Sequence, residues 1–197
     1  MNYDIGYITR YMIEYDSGVP MVVVIGIFLI VCAIIVTLYH YSSDGFKFLR
    51  EASWCFLGGY LSLLFCSTVL FRNQAEEMRY SLQPFLAYTC LYERRIAEII
   101  LNILMFIPIG FCSGIAIIKM NIIKVIGLGF SLSSSIEILQ LLTKRGVCNI
   151  DDVIHNTLGC VIGFACFVLC YKMVNKLRSV VNFSESKVRA QKDEAMP

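Results

Sequence analysis

Residues 136–163 read IEILQLLTKRGVCNIDDVIHNTLGCVIG. Glu137, Gln140, Arg145, Asp151, Asp152, His155 and Asn156 stand here between two runs apolar enough to cross a membrane. Ionisable groups at membrane depth are costly unless they pair, coordinate or face a cavity, so several of them near one edge of the hydrocarbon argue for a site. The plain alternative is a polar hairpin that caps two helices. On either reading the stretch is a helix, a turn and a helix, and it makes the chain a bundle of membrane spans.

The rest of the sequence agrees. Of 197 residues, 57% are hydrophobic and 16% charged, and the mean hydropathy is +0.68. Soluble domains sit near ~45–50% apolar and ~25% charged, so the chain reads as an integral membrane protein. A net charge of +2, with no basic run interleaved with aromatics, excludes a nucleic-acid partner. Membrane lipid is the partner that composition implies.

About ~30 Å of hydrocarbon takes roughly 17–25 helical residues, and five runs meet that length: 20–41, 52–71, 99–118, 122–142 and 153–171. The expected fold is therefore an all-α polytopic bundle of about five transmembrane helices. The first run carries VVVIGIFLIVCAIIV and follows Pro20, which suits a first helical turn. Pro108 lies inside the third, where a missing N–H predicts a kink or a break. Residues 1–19 hold Asp4, Glu14 and Asp16 against Arg10, unlike the basic start of a secretory signal, so the first span is expected to stay as an anchor. The tail, 172–197, is basic at its start and polar at its end, and is expected to be disordered at the cytoplasmic surface.

With the amino terminus outside, Lys and Arg divide ten inside against seven outside, six of the ten lying in the tail. That bias favours an external amino terminus and a cytoplasmic tail. In this orientation Arg72, the loop with Pro84 and Phe85, Asn102, Glu137, Gln140, Arg145 and the segment from Asp151 to Asn156 all fall outside. The expectation is an outer polar cluster between spans two and five.

Helical spacing lets these groups converge. Glu137, Gln140 and Lys144 share one stripe, Asp152, Asn156, Gly159 and Gly163 another, and Glu98, Asn102 and Phe106 a third. Small residues four apart, Gly110 with Gly114, Ser131 with Ser135 and Gly159 with Gly163, suit close approach of helices. Each element has a plainer reading. Asn149, Asp151 and Asp152 are what a helix start prefers, Asn102 serves equally as interhelical glue, and Asp151 with His155 reads as amphipathic surface. Glu137 is hardest to dismiss, because an unpaired carboxylate six residues inside a span is expensive; Arg145 and Arg72 are its natural partners. Most of the nine cysteines fall in apolar helix, where Cys acts as a small hydrophobe. Cys90 and Cys148 are the loop members, and a disulfide between them is one option. No zinc spacing, phosphate loop, nucleophile elbow or HExxH motif occurs, so no metal or cofactor is expected.

LNILMFIPIGF at 101–111, SSIEILQLLTKRGVCNIDDVIHNTLGCVIGF at 134–164 and the proline motif YSLQPF at 80–85 closely resemble the VanZ-like family of bacterial membrane proteins. The family's polar pattern falls here on Asn102, Pro108, Gly110, Glu137, Gln140, Arg145, Asp152, Asn156 and Gly159. Two departures stand out: Ser81 where an Asn is common, and His155 where an apolar residue is common. The family takes its name from a protein associated with low-level resistance to the glycopeptide teicoplanin, so the resemblance implies a cell-envelope role in a bacterial plasma membrane.

Two functions of different class follow. The first is a non-enzymatic protein that binds a lipid-linked cell-wall precursor, or the glycopeptide, through Arg72, Asn102, Glu137, Gln140, Arg145, Asp151, Asp152 and Asn156, an Arg holding a carboxylate or phosphate. The second is an intramembrane enzyme acting on such a precursor, with Glu137 or Asp152 as general base; no nucleophile accompanies them. A transporter fits less well, since the chain lacks an internal repeat and would need to form a homo-oligomer.

Overall fold

The computed structural model describes residues 45–85 and 93–194. Helix α1, Gly45–Phe65, runs on as a π-helical turn, Cys66–Leu70. Ser67 Oγ and Thr68 Oγ1 both donate to Leu64 O, at 3.0 and 2.7 Å, a back-bonding that loosens and bends helices, and Phe71 N–H reaches back five residues to Cys66 O at 2.9 Å.

Helix α2, Glu93–Ala116, is continuous through Pro108, so the predicted break does not occur. Neighbouring helices support this segment: the buried Tyr60 hydroxyl donates to Met105 O at 2.8 Å, and Phe106 and Ile109 are sealed in the core. Helix α3, Ile122–Thr143, starts at Asn121, whose side chain accepts from Lys124 N–H, and stops at Lys144 in the left-handed region at φ 57°. Helix α4, Ile150–Glu194, is 45 residues long, roughly 65 Å at ~1.5 Å per residue. The tail expected to be disordered is thus helical through Glu194. Its Lys, Glu, Ala and Gln residues extend a helix already nucleated in the bundle, which removes the cost that keeps short isolated helices from forming.

Among the described residues four helical stretches are long and apolar enough to span a membrane: Lys47–Leu70, Arg95–Ala116, Ile122–Thr143 and Ile150–Lys176. They match predicted spans two to five, and the chain is a multi-pass α-helical membrane protein. The span predicted at 20–41 lies outside the described residues.

α2 and α4 form the tightest pair, and glycines set their distance. A Cβ at Gly159 would stand 2.2 Å from Ile103 O, one at Gly163 2.0 Å from Ile107 O, and one at Gly110 1.9 Å from Cys160 O. Backbones in such contact replace the hydrophobic drive that lipid does not supply between helices. The Ser131 and Ser135 pair plays no such part: both are exposed, with Ser135 Oγ bonded back to Ser131 O at 2.7 Å. Instead Gly129, against Thr157 and Cys160, and the buried Ser133 form the face of α3 that meets α4. The opposite side of α3 exposes Ile123, Phe130, Ile138 and Leu142, as a lipid-facing helix should.

Two very short strands, absent from the sequence reading, pair in parallel at one end of the bundle. Strand β1, Tyr80–Ser81, aligns with β2, Cys148–Asn149, in the register Tyr80 with Cys148 and Ser81 with Asn149. They tie the loop after α1 to the turn between α3 and α4.

Candidate functional site

The polar side chains gather at the end of the bundle that carries this strand pair. The turn from α3 into α4 is built around Glu137. One turn and a half before α3 ends, its carboxylate Oε2 accepts from Asn149 N–H at 2.7 Å. Asn149 then starts α4: its Oδ1 accepts from Asp151 N–H at 3.1 Å, and its Nδ2 donates to Asp152 Oδ1 at 3.1 Å. Asn149 is therefore the cap that the sequence suggested, and Glu137 fixes the cap itself.

Asp151 does something else. It is buried at 2% exposure, and its Oδ1 accepts from Phe85 N–H at 2.6 Å. Phe85 sits at φ 65°, a left-handed conformation that a bulky residue adopts only when its surroundings hold it there. The carboxylate thus clamps the end of the proline motif onto the first turn of α4. His155, one turn on, is buried too, so the reading of Asp151 and His155 as amphipathic surface is wrong: both side chains lie inside the packed bundle.

Gln140 links α3 to α1. Its Nε2 donates to Thr68 O at 3.0 Å, a carbonyl of the π turn, where the widened helix leaves main-chain acceptors for others. Its Oε1 is buried without a hydrogen-bond partner. A Cβ on Gly146 would lie 3.1 Å from that oxygen and 2.8 Å from Arg72 Nη1, so Gly146, at φ 131°, leaves room for both groups. Arg72 is an electrostatic neighbour of Glu137 and of Asp152; Arg95, Glu98 and Asp151 are also neighbours of Asp152. Arg95 Nη1 in turn meets Glu98 Oε2 at 3.1 Å.

Arg145 goes elsewhere. Its Nη1 donates to Leu70 O and its N–H to Gln140 O, so of the two expected cations it is Arg72 that stands by Glu137. Deeper in the bundle Asn156 Nδ2 donates to Ser133 Oγ at 2.8 Å, and Asn156 Oδ1, also buried, has no partner. Asn102 is buried on α2, one turn past Glu98. Ser133, Thr68 and Gly146 were missed by sequence reading: a serine or threonine in an apolar run gives no signal of its own, and the glycine's role needs its neighbours.

Cys148 lies in β2 as a free thiol. Burial, with the Glu137 and Asp152 carboxylates adding to it, pushes that thiol above its ordinary pKa, so it stays protonated and unreactive. Its suggested partner Cys90 falls outside the described residues. Among the described residues no three His, Cys, Asp or Glu side chains come together as a metal cage. Chemically the arrangement is rich in acceptors, carboxylates and amide oxygens, with the Arg72 and Arg95 guanidinium groups as neighbours of Asp152.

A family model described as VanZ/LLP1 matches residues 26–171. No curated protein and no solved structure matches the chain.

Proposed function

The chain belongs to the VanZ/LLP1 family, and from that premise we propose that it is a bacterial cell-envelope protein that binds, without turning over, a lipid-linked cell-wall precursor at the outer face of the plasma membrane. Binding there lowers the effective action of a glycopeptide such as teicoplanin. The reading takes the amino terminus outside and the tail in the cytoplasm, as the division of Lys and Arg favours.

The observation that carries it is the surplus of acceptors around Asp152. Glu98, Glu137 and Asp151 are its acidic neighbours or lie next to them, against Arg72 and Arg95, and two buried amide oxygens, on Gln140 and Asn156, have no partner. The carboxylates suit a head group rich in N–H and O–H donors, as a peptide stem is, because charged acceptors make the stronger hydrogen bonds. Arg72 keeps the carboxylates oriented. The Cys148 thiol beside them is held protonated by burial, which favours binding over catalysis.

Deletion and complementation test the proposal. Loss of the gene should raise teicoplanin susceptibility, and the wild-type chain should restore tolerance. Glu137→Gln, which keeps an acceptor for Asn149 N–H, should restore most of it, whereas Gln140→Ala should not. A deletion without effect on susceptibility would sink the reading, and complete loss with Glu137→Gln would favour the general-base alternative.

A further inference from the structure

A groove of about 410 Å³ opens between the π turn and the end of α3. Leu70 and Leu142 form an apolar wall, Gln74 and Thr143 a polar shoulder, and Lys144 and Arg145 its cationic end. We propose that this groove binds an anionic phospholipid of the surrounding membrane, its phosphate on Lys144 and Arg145 and its acyl chains along Leu70 and Leu142. The assignment is independent of what the polar cluster takes.

Depth is the first argument. Leu70 ends one membrane span and Thr143 another, so the cationic end lies just past two spans, at the level of lipid head groups, while the apolar wall lies within the hydrocarbon. Leu142 is 64% exposed and Leu70 47%, as side chains facing acyl chains are.

Charge complementarity is the second. Lys144 Nζ donates to Glu76 O at 3.0 Å and Arg145 Nη1 to Leu70 O. Both partners are neutral carbonyls, so they hold the cations in place without cancelling their charge. Each head keeps further N–H donors, since an ammonium carries three and a guanidinium five, and the guanidinium fork matches phosphate geometry.

Backbone conformation is the third. Lys144 occupies the left-handed position after α3, where glycine is the ordinary choice. A lysine accepts that conformational penalty here while its side chain and its own carbonyl, which accepts from Ala75 N–H at 2.8 Å, pin the loop that walls the groove. The turn is thus preformed for a ligand that needs two cations side by side.

The test uses full-length protein purified in detergent, with lipid adducts counted by native mass spectrometry during titration with phosphatidylglycerol. Replacing both cations (K144Q/R145Q) should weaken phosphatidylglycerol binding roughly tenfold or more, as two Lys or Arg at a membrane surface are worth. The same loss of charge at the other end of α3, in K119Q/K124Q, should leave it unchanged. Leu142→Gln, at a position outside the packed core, should also weaken lipid binding. Equal loss in K119Q/K124Q, or full binding by K144Q/R145Q, overturns the site. Displacement of the lipid by millimolar inorganic phosphate, with no effect of Leu142→Gln, makes it a free-anion site and overturns the lipid assignment.

Discussion

At the scale of single residues, Glu137 and Asp151 show how a carboxylate near a helix end is spent on the fold. Glu137 Oε2 holds Asn149 N–H at 2.7 Å, and that bond positions the cap of α4. Glu137→Ala leaves a part-buried donor unmet and should cost roughly 1 kcal/mol or more, read as a lower thermal midpoint in detergent; Glu137→Gln should retain most of the midpoint, because its amide oxygen can accept the same bond. Asp151 makes a sharper prediction. Its clamp on Phe85 N–H at 2.6 Å has a charged acceptor, worth roughly 1.5–3 kcal/mol. In Asp151→Ala the Phe85 amide should exchange with deuterium at least tenfold faster, with the core of α2 unchanged; equal exchange in both proteins would show that something else holds the proline motif.

At the scale of elements, the pairing of α2 with α4 depends on what is missing from their surfaces. Gly159 and Gly163 receive the carbonyls of Ile103 and Ile107, and Gly110 receives that of Cys160. Interiors this close do not absorb a methyl group, and overpacking costs typically ~1–3 kcal/mol. Here the obstacle is backbone, so Gly159→Ala should reach the upper end of that range, measured as a loss of thermal midpoint, while Gly127→Ala, with nothing within 4 Å of its Cβ position, should be neutral or slightly stabilising through helix propensity. The π turn is the other element whose geometry matters. Its carbonyls Thr68 O and Leu70 O take Gln140 and Arg145, so a widened helix end becomes the socket into which the end of α3 plugs.

At the scale of the molecule, alternation of the four described spans brings the end of α1, the start of α2, the end of α3 and the start of α4 to one side of the membrane. The loops there are pinned by β1 and β2 and by the Ala75 to Lys144 bond. The proposed orientation places this side outside the cell. In a cysteine-free background, Glu77→Cys should react with a membrane-impermeant maleimide added to intact cells, and Lys119→Cys, at the opposite end, should react only after permeabilisation. The reverse pattern would turn the site towards the cytoplasm and remove the envelope-ligand reading.

Apolar run length determined most of the architecture from sequence alone. Runs at 52–71, 99–118, 122–142 and 153–171 are long enough to span, and a bilayer admits little besides helix for them; the 3.6-residue period also put Gln140 with Glu137 and Asn156 with Gly159. Those are local properties, legible one helix at a time. Tertiary structure alone decided which partners meet: Arg72 rather than Arg145 beside Glu137, Gln140 on a carbonyl 72 residues away, Asp151 on Phe85, and β1 on β2. The sequence is silent on these because several acceptors and cations lie within reach of each loop, and which of them pair depends on where each helix stops and how far its neighbour's backbone lets it approach.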